Sequence, residues 1–299
     1  MFSRRNVLAG LAGVLIAGGA VPLAGRSPAA AVPLMEGDFE RRLKTLETAS
    51  GGRLGVAFVD KETGAVRGHR LNERFLMCST FKLLLVGAVL SQVDSGKERL
   101  DRRIMIRSED ILEYAPVTRT HLDGPGMTVS ELCDAAMTLS DNTAANLLLD
   151  ALGGAETLIA FARSLGDPVT RLDRKEPDLN LMVADDIRDT TTPAAMAADL
   201  DALILGDRLS PEMRHRLTKW LIGNQTGAHR LRAGLPHGWK IGDKTGSGVG
   251  IANDVALVWP PGRAPFLLSV YLTGATGTAV QRDAVLAETA RLAARIVAA

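Results

Sequence analysis

The feature that most limits what this chain can fold into is where its strand-like and helix-like stretches fall. Arg53–Asp60 alternates Leu54, Val56 and Phe58 against small residues, the period of a half-buried strand. Lys61-Glu62-Thr63-Gly64 reads as a hairpin turn, with 65–70 as the returning strand. Three more β-rich runs, 239–245, 253–259 and 265–273, lie near the other end, the last two joined by Pro260-Pro261-Gly262. Between these ends the apolar residues follow helical spacing over 80–93, 129–139, 143–152, 156–165, 193–203 and 211–222. Thr128 with Glu131 predicts a capping box for the second of these runs, and Gly153-Gly154 a stop for the third. A helix over 39–46 precedes the first strand, and an Ala-rich helix over 279–298 closes the chain. The expected fold is therefore α+β: a five-stranded antiparallel sheet assembled from both ends and flanked by helices in a three-layer α/β/α sandwich, plus an all-helical lobe, with the active site between the two. The expected boundaries are 32–72 with 224–299 for the sheet domain and 73–223 for the helical domain.

Composition narrows the function. A formal net charge of +1 over 299 residues supplies no field toward nucleic acid or an anionic membrane. Five His and two Cys, none in metal-ligand spacing, point to no metal and no cofactor. The first residues differ from the rest. Ser3-Arg4-Arg5-Asn6 opens a basic segment, a Gly- and Ala-rich apolar run follows to Val21, and Ala29-Ala30-Ala31 is a stretch of small residues. Residues 1–31 read as a signal peptide of the twin-arginine type, with a membrane anchor as the alternative. The expected protein is then exported, periplasmic or secreted, monomeric, and free of stable membrane association once the signal is removed. Cys78 and Cys133 read as unpaired, mostly buried thiols.

The chemistry concentrates in a few short motifs. Ser79 and Lys82 stand three residues apart at the start of the apolar run Phe81-Lys82-Leu83-Leu84-Leu85-Val86, so one helical face brings the amine to the hydroxyl. A serine needs such a base, or a strong local field, to become a nucleophile. Ser140-Asp141-Asn142 falls between two helical runs, where Asp141 can cap the second. Lys244-Thr245-Gly246 reads as the end of a strand, with Ser247-Gly248 beyond it. The stretch 167–192 is polar and Pro-interrupted, and carries Arg174-Lys175-Glu176-Pro177-Asp178-Leu179-Asn180. A connection of that length inside a folded domain is usually functional or disordered.

S-x-x-K, S-D-N and K-T-G, in that order, are the signature of class A β-lactamases and penicillin-binding proteins. From Phe39 to the C-terminus the sequence closely resembles a class A serine β-lactamase. The resemblance implies that Ser79 attacks the lactam carbonyl, with Lys82 or Glu176 as the acylation base. It implies that Ser140 relays a proton to the departing nitrogen, that the amides of Ser79 and Ser247 form the oxyanion hole, and that Glu176 and Asn180 hold the deacylating water. Arg174 and Asp189 match the ion pair that closes the Glu176 loop. Lys244, Thr245 and Ser247 would bind the substrate carboxylate and Asn142 the side-chain amide. Tyr114 would flank the cleft mouth, or be a chance surface tyrosine. The chain has no arginine from Val249 to Val258, so Arg230 matches the position that takes over the carboxylate in relatives of that kind; a solvated or helix-terminal arginine is the alternative. In some carbapenem-hydrolysing relatives a cysteine matching Cys78 pairs with one at the position of Gly248, and Cys133 matches a cysteine whose partner position holds Val86; neither bond can form here. The implied activity is hydrolysis of penicillins and cephalosporins through an acyl-enzyme, conferring antibiotic resistance. A D,D-carboxypeptidase or penicillin-binding protein would not be expected to carry the Glu176-Asn180 loop, and a non-hydrolysing penicillin sensor would need a membrane-spanning relay.

Overall fold

In the computed structural model, which describes residues 37–298, helix α1 (Asp38–Ser50) leads into strand β1 (Arg53–Asp60). The expected signal segment lies outside the described residues. Strand β2 (Val66–His69) returns along β1 with Val56 opposite His69. The chain then leaves the sheet for its helical part: α2 (Phe81–Asp94), α3 (Val129–Thr138), α4 (Asn142–Leu152), α5 (Ala155–Leu165), α6 (Pro193–Ile204) and α7 (Pro211–Ile222). It re-enters as β3 (Lys240–Gly248), β4 (Ile251–Trp259) and β5 (Phe266–Thr273), and ends in α8 (Ala279–Val297). The sheet order is β2-β1-β5-β4-β3, antiparallel throughout. This is the five-stranded sheet built from both ends that the sequence predicts.

Strand periodicity sorts the core into two layers. Leu54, Val56 and Phe58 of β1 and Phe266, Leu268, Val270 and Leu272 of β5 pack with Phe39 and Leu43 of α1 and Leu286, Ala290 and Ala293 of α8. On the other sheet face Leu267, Tyr271, Val255 and Leu257 join the helical part, centred on α2. Each of the buried Leu, Val and Phe side chains among these contributes about 1.5–3 kcal/mol of transfer free energy. Helix α2 is buried on all sides from Phe81 to Leu90, which explains an apolar run with no polar face. The described residues, 37–298, fall within one compact unit.

Element ends follow local chemistry. Thr128 and Glu131 form the predicted capping box of α3, and Gly153, at φ 102°, ends α4. Two short strand pairs escaped the sequence pattern: Phe75–Leu76 with Thr190–Thr191, and Arg103–Ile104 with Met127–Thr128. At two residues each they carry no period to read. One expectation is corrected. Lys244-Thr245-Gly246 does not end a strand but sits inside β3, where Thr245 pairs with Asp254 and Ser247 with Ala252. Gly246 serves close approach: a Cβ there would lie 2.7 Å from the Met77 carbonyl oxygen and 3.2 Å from the Cys78 Cβ.

Candidate active site

A single 3-10 turn, Cys78–Thr80, carries Ser79 onto the N-terminus of α2. Cys78 has φ 44°, a sparsely populated conformation that costs a non-glycine residue of order 1–3 kcal/mol and recurs at functional sites. The turn is held from behind by Asn253 of β4, whose Nδ2 donates to the carbonyls of Leu76 (2.9 Å) and Met77 (3.1 Å). Thr80 Oγ1 lies 3.1 Å from the hydroxyl of buried Tyr271. The serine is therefore in a 3-10 turn rather than the first α-turn, and the three-residue spacing still brings Lys82 Nζ to donate to Ser79 Oγ at 3.0 Å.

Lys82 is fully buried, and its ammonium is ringed by acceptors: Asn142 Oδ1 at 2.7 Å, the Ser140 carbonyl at 2.8 Å and Glu176 Oε1 at 3.0 Å. Burial pushes its pKa below the usual lysine range, against the pull of the Glu176 carboxylate. Ser79 Oγ in turn donates to Glu176 Oε1 at 3.0 Å, so both candidate bases touch the same hydroxyl.

Glu176 comes from the long polar stretch, which the structure orders as a loop closed at its neck. Asp189, fully buried, accepts from Arg174 Nε (2.5 Å) and from the backbone amides of Asp173 (2.7 Å) and Arg174 (2.9 Å). The Asp189 carbonyl accepts from the Met77 amide at 2.9 Å, tying the loop to the serine turn. Asn180 Nδ2 donates to Glu176 Oε2 at 2.5 Å. A residue not singled out from the sequence completes the cradle: Asn146 donates to the Glu176 carbonyl at 2.8 Å and accepts from its amide at 3.0 Å. Asn146 stands one helical turn after Asn142, a spacing that could have flagged it.

The opposite wall is β3. Lys244 is also fully buried and donates to Ser140 Oγ and to the Thr245 carbonyl, both at 3.0 Å. Burial, reinforced by the positive charge of Lys82, pushes its pKa down to about 7. It is not among the residues that line the cleft. Ser140, at φ 57°, lies between the two lysines, with Lys82 Nζ 3.4 Å from its hydroxyl. Asp141, fully buried, caps α4 at the Ala144 amide and accepts from the Val117 and Thr118 amides, each at 2.9 Å.

Arg230 lies behind β3. Its guanidinium donates to Ser247 Oγ (2.7 Å), to the carbonyls of Gly246 and Asn253 (2.8 Å each) and to Asp283 Oδ1 (2.8 Å). Arg232 points elsewhere, to the Leu221 and Ile222 carbonyls and to Asp243. Asp283 and Thr226 had no signal in the sequence. Between the walls is an open cleft of about 350 Å³ lined by Ser79, Tyr114, Ser140, Asn142, Asn180, Thr226, Thr245, Gly246 and Ser247. Tyr114 is half-exposed at its mouth and donates to the Leu139 carbonyl at 3.2 Å. Cys78 and Cys133 are free and buried, and a Cβ on Gly248 would lie 3.4 Å from Cys78 Sγ.

A serine hydroxyl touching a buried lysine and a carboxylate, below a strand edge rich in donors, defines a serine hydrolase that works by acyl transfer. The model of the beta-lactamase enzyme family matches residues 38–298. Beta-lactamase AST-1 of Nocardia asteroides is 52% identical over 252 residues, 84% of this chain and 81% of that protein. Beta-lactamase L2 of Stenotrophomonas maltophilia is 46% identical over 99% of this chain and 97% of its own. Among solved structures, an ancestral class A beta-lactamase superimposes with a TM-score of 0.83 at 60% identity, covering 85% of this chain and 98% of its own. The chain belongs to the class A β-lactamases, and it is a serine hydrolase that opens the β-lactam ring.

Proposed function

We propose that Ser79 is the nucleophile, Ser140 the proton relay to the lactam nitrogen, and Glu176 with Asn180 the device that activates water for deacylation. The observation that carries this is the convergence of Lys82 Nζ and Glu176 Oε1, each 3.0 Å from Ser79 Oγ. Either group can take the serine proton during acylation. Asn180 holds the Glu176 carboxylate and Asn146 holds the Glu176 backbone, both independently of Ser79, which suits Glu176 to activate the deacylating water. Ser140 Oγ, bonded to Lys244 and near Lys82, stands between two proton sources on the leaving-group side. Ser79 and Ser247 both border the cleft, which supports their amides as the oxyanion hole; one such donor is typically worth about 3 kcal/mol.

The substrates are penicillins and cephalosporins. Thr245 and Ser247, with Arg230 behind Ser247, make the carboxylate end of the cleft; Asn142 faces the side-chain amide and Tyr114 the rim. The basic and apolar N-terminal segment supports export by the twin-arginine route to the periplasm or beyond; in this reading the enzyme acts as a monomer. Among the described residues, no single helix is long and apolar enough to cross a membrane.

Glu176→Ala tests the assignment. It removes the deacylating base while Ser79 and Lys82 remain, so intact-protein mass spectrometry after mixing with benzylpenicillin should show a lasting adduct on Ser79. Turnover at the wild-type rate with no adduct would overturn it.

A further inference from the structure

Thr226 lines the cleft beside Thr245 and Ser247, and the hydrogen bonds around it fix the direction of a proton chain. Asn224 Oδ1 accepts from the Thr226 backbone amide at 3.0 Å, which identifies that atom as the amide oxygen. Asn224 Nδ2 on the other side donates to Asp243 Oδ2 at 2.5 Å, consistent with the same orientation. An amide oxygen only accepts, so the Thr226 hydroxyl, 2.7 Å from Asn224 Oδ1, spends its single proton there. The Thr226 oxygen is then left as an acceptor toward the Thr245 hydroxyl, with which it is in contact. Thr245 must donate to Thr226, and it turns lone pairs rather than its proton toward the cleft.

We infer that Thr226 is a positioning residue that holds the Thr245 hydroxyl turned away from the substrate carboxylate. Binding a carboxylate requires the Thr245 O–H to rotate off Thr226, at the loss of one neutral hydrogen bond. Asp243, buried and paired with Arg232, anchors the far end of the chain and keeps its polarity. The inference rests on the reading of Thr245, Ser247 and Arg230 as the carboxylate end.

Thr226→Val keeps the branched shape and removes the acceptor, while the backbone amide of residue 226 still satisfies Asn224 Oδ1. The Thr245 proton is then free to face the cleft. KM for benzylpenicillin should fall roughly three- to tenfold, the worth of one neutral hydrogen bond, with the gain in KM rather than kcat. Thr226→Ser should keep the wild-type KM, and Thr226→Ala should reproduce the fall if the valine variant folds poorly. Inhibition by benzeneboronic acid, which has no carboxylate, should not change in any of them. An unchanged or raised KM in both hydroxyl-free variants, or an equal gain for benzeneboronic acid, overturns the inference. Arg230→Ala measured alongside separates the two readings. If it leaves KM and kcat/KM unchanged, the carboxylate end itself is misplaced. If it weakens turnover while the Thr226 variants behave as wild type, only the hydroxyl polarity is wrong.

Discussion

Lys82 and Lys244 reach Ser140 from opposite walls, both fully buried, and they are provided for in different ways. Lys82 has a carboxylate, an amide oxygen and a carbonyl within 3.0 Å. Lys244 has a hydroxyl and a carbonyl; its neighbours Asp243 and Asp254 act only at longer range, and Asp243 is already paired with Arg232. The helical wall thus carries its counter-charge in the resting state, whereas the strand wall holds positive charge that an incoming anion completes. That division separates bond-making from binding: a proton shuttle works best when its partners are already in place, and an anion site when its partner is missing.

The comparison breaks most visibly at Arg230. Arg230→Ala removes the guanidinium from behind Ser247, and charge-assisted bonds of this kind are worth about 1.5–3 kcal/mol, so kcat/KM should fall roughly ten- to hundredfold for penicillins and cephalosporins alike. Wild-type kcat/KM in a folded variant would leave the strand wall to Lys244 without it. Arg232→Ala is the comparison; its guanidinium touches the Leu221 and Ile222 carbonyls and Asp243 but no cleft-lining residue, so it should lower stability and cost kcat/KM less than Arg230→Ala.

A smaller effect sharpens the contrast in pH. Lys244 is cationic below about 7 and neutral above it, so the attraction for a carboxylate should fade as pH rises from about 6 to about 9, and KM should climb several-fold over that range. Lys244→Arg, which keeps its charge, should flatten the climb. A wild-type KM that is level across this range would show that Lys244 stays charged in the free enzyme as well, and would overturn the lowered pKa.

The last effect concerns stability, through a buried carboxyl set beside another carboxylate. Asp199, on α6, is almost fully buried beside Asp167, and burial together with the Asp167 charge pushes its pKa up to about 9 from 3.8. A folded-state pKa above the unfolded one means stability that is fully present below about 4 and lost as pH rises through about 9. Asp199→Asn should therefore hold its Tm as pH rises from about 4 toward about 9, where the wild type declines by a few degrees per pH unit, at about 1.4 kcal/mol per unit and about 2–4 °C per kcal/mol. Parallel Tm curves from acid to alkali would remove Asp167 and burial as the cause.

How much of this was legible in the sequence depends on whether the information was local. The strand period of β1, the capping box at Thr128 and the order of the three motifs are local, and the elements and most cleft residues follow from them. Lys244 was legible as a lysine on a strand but not as a buried one, because its depth is set by the pairing of β3 with β4 and by Ser140 more than a hundred residues away. Asp283 acts on Arg230 from 53 positions along the chain, through the docking of α8, and has no motif. Thr226 is an ordinary threonine in sequence; only its contacts with Asn224 and Thr245 give it direction. The role of Gly246 is not local either, since its lack of a side chain answers the Met77 carbonyl on another element.

That glycine has a mechanical consequence. With the Met77 oxygen 2.7 Å from where a Cβ would stand, β3 and the serine turn rest on each other main chain to main chain. The spacing between nucleophile and binding strand is consequently gauged by backbone thickness, which every sequence shares. Substitutions around the rim can alter what enters the cleft, but the jaw itself has a fixed bite, and any side chain at position 246 would wedge it open.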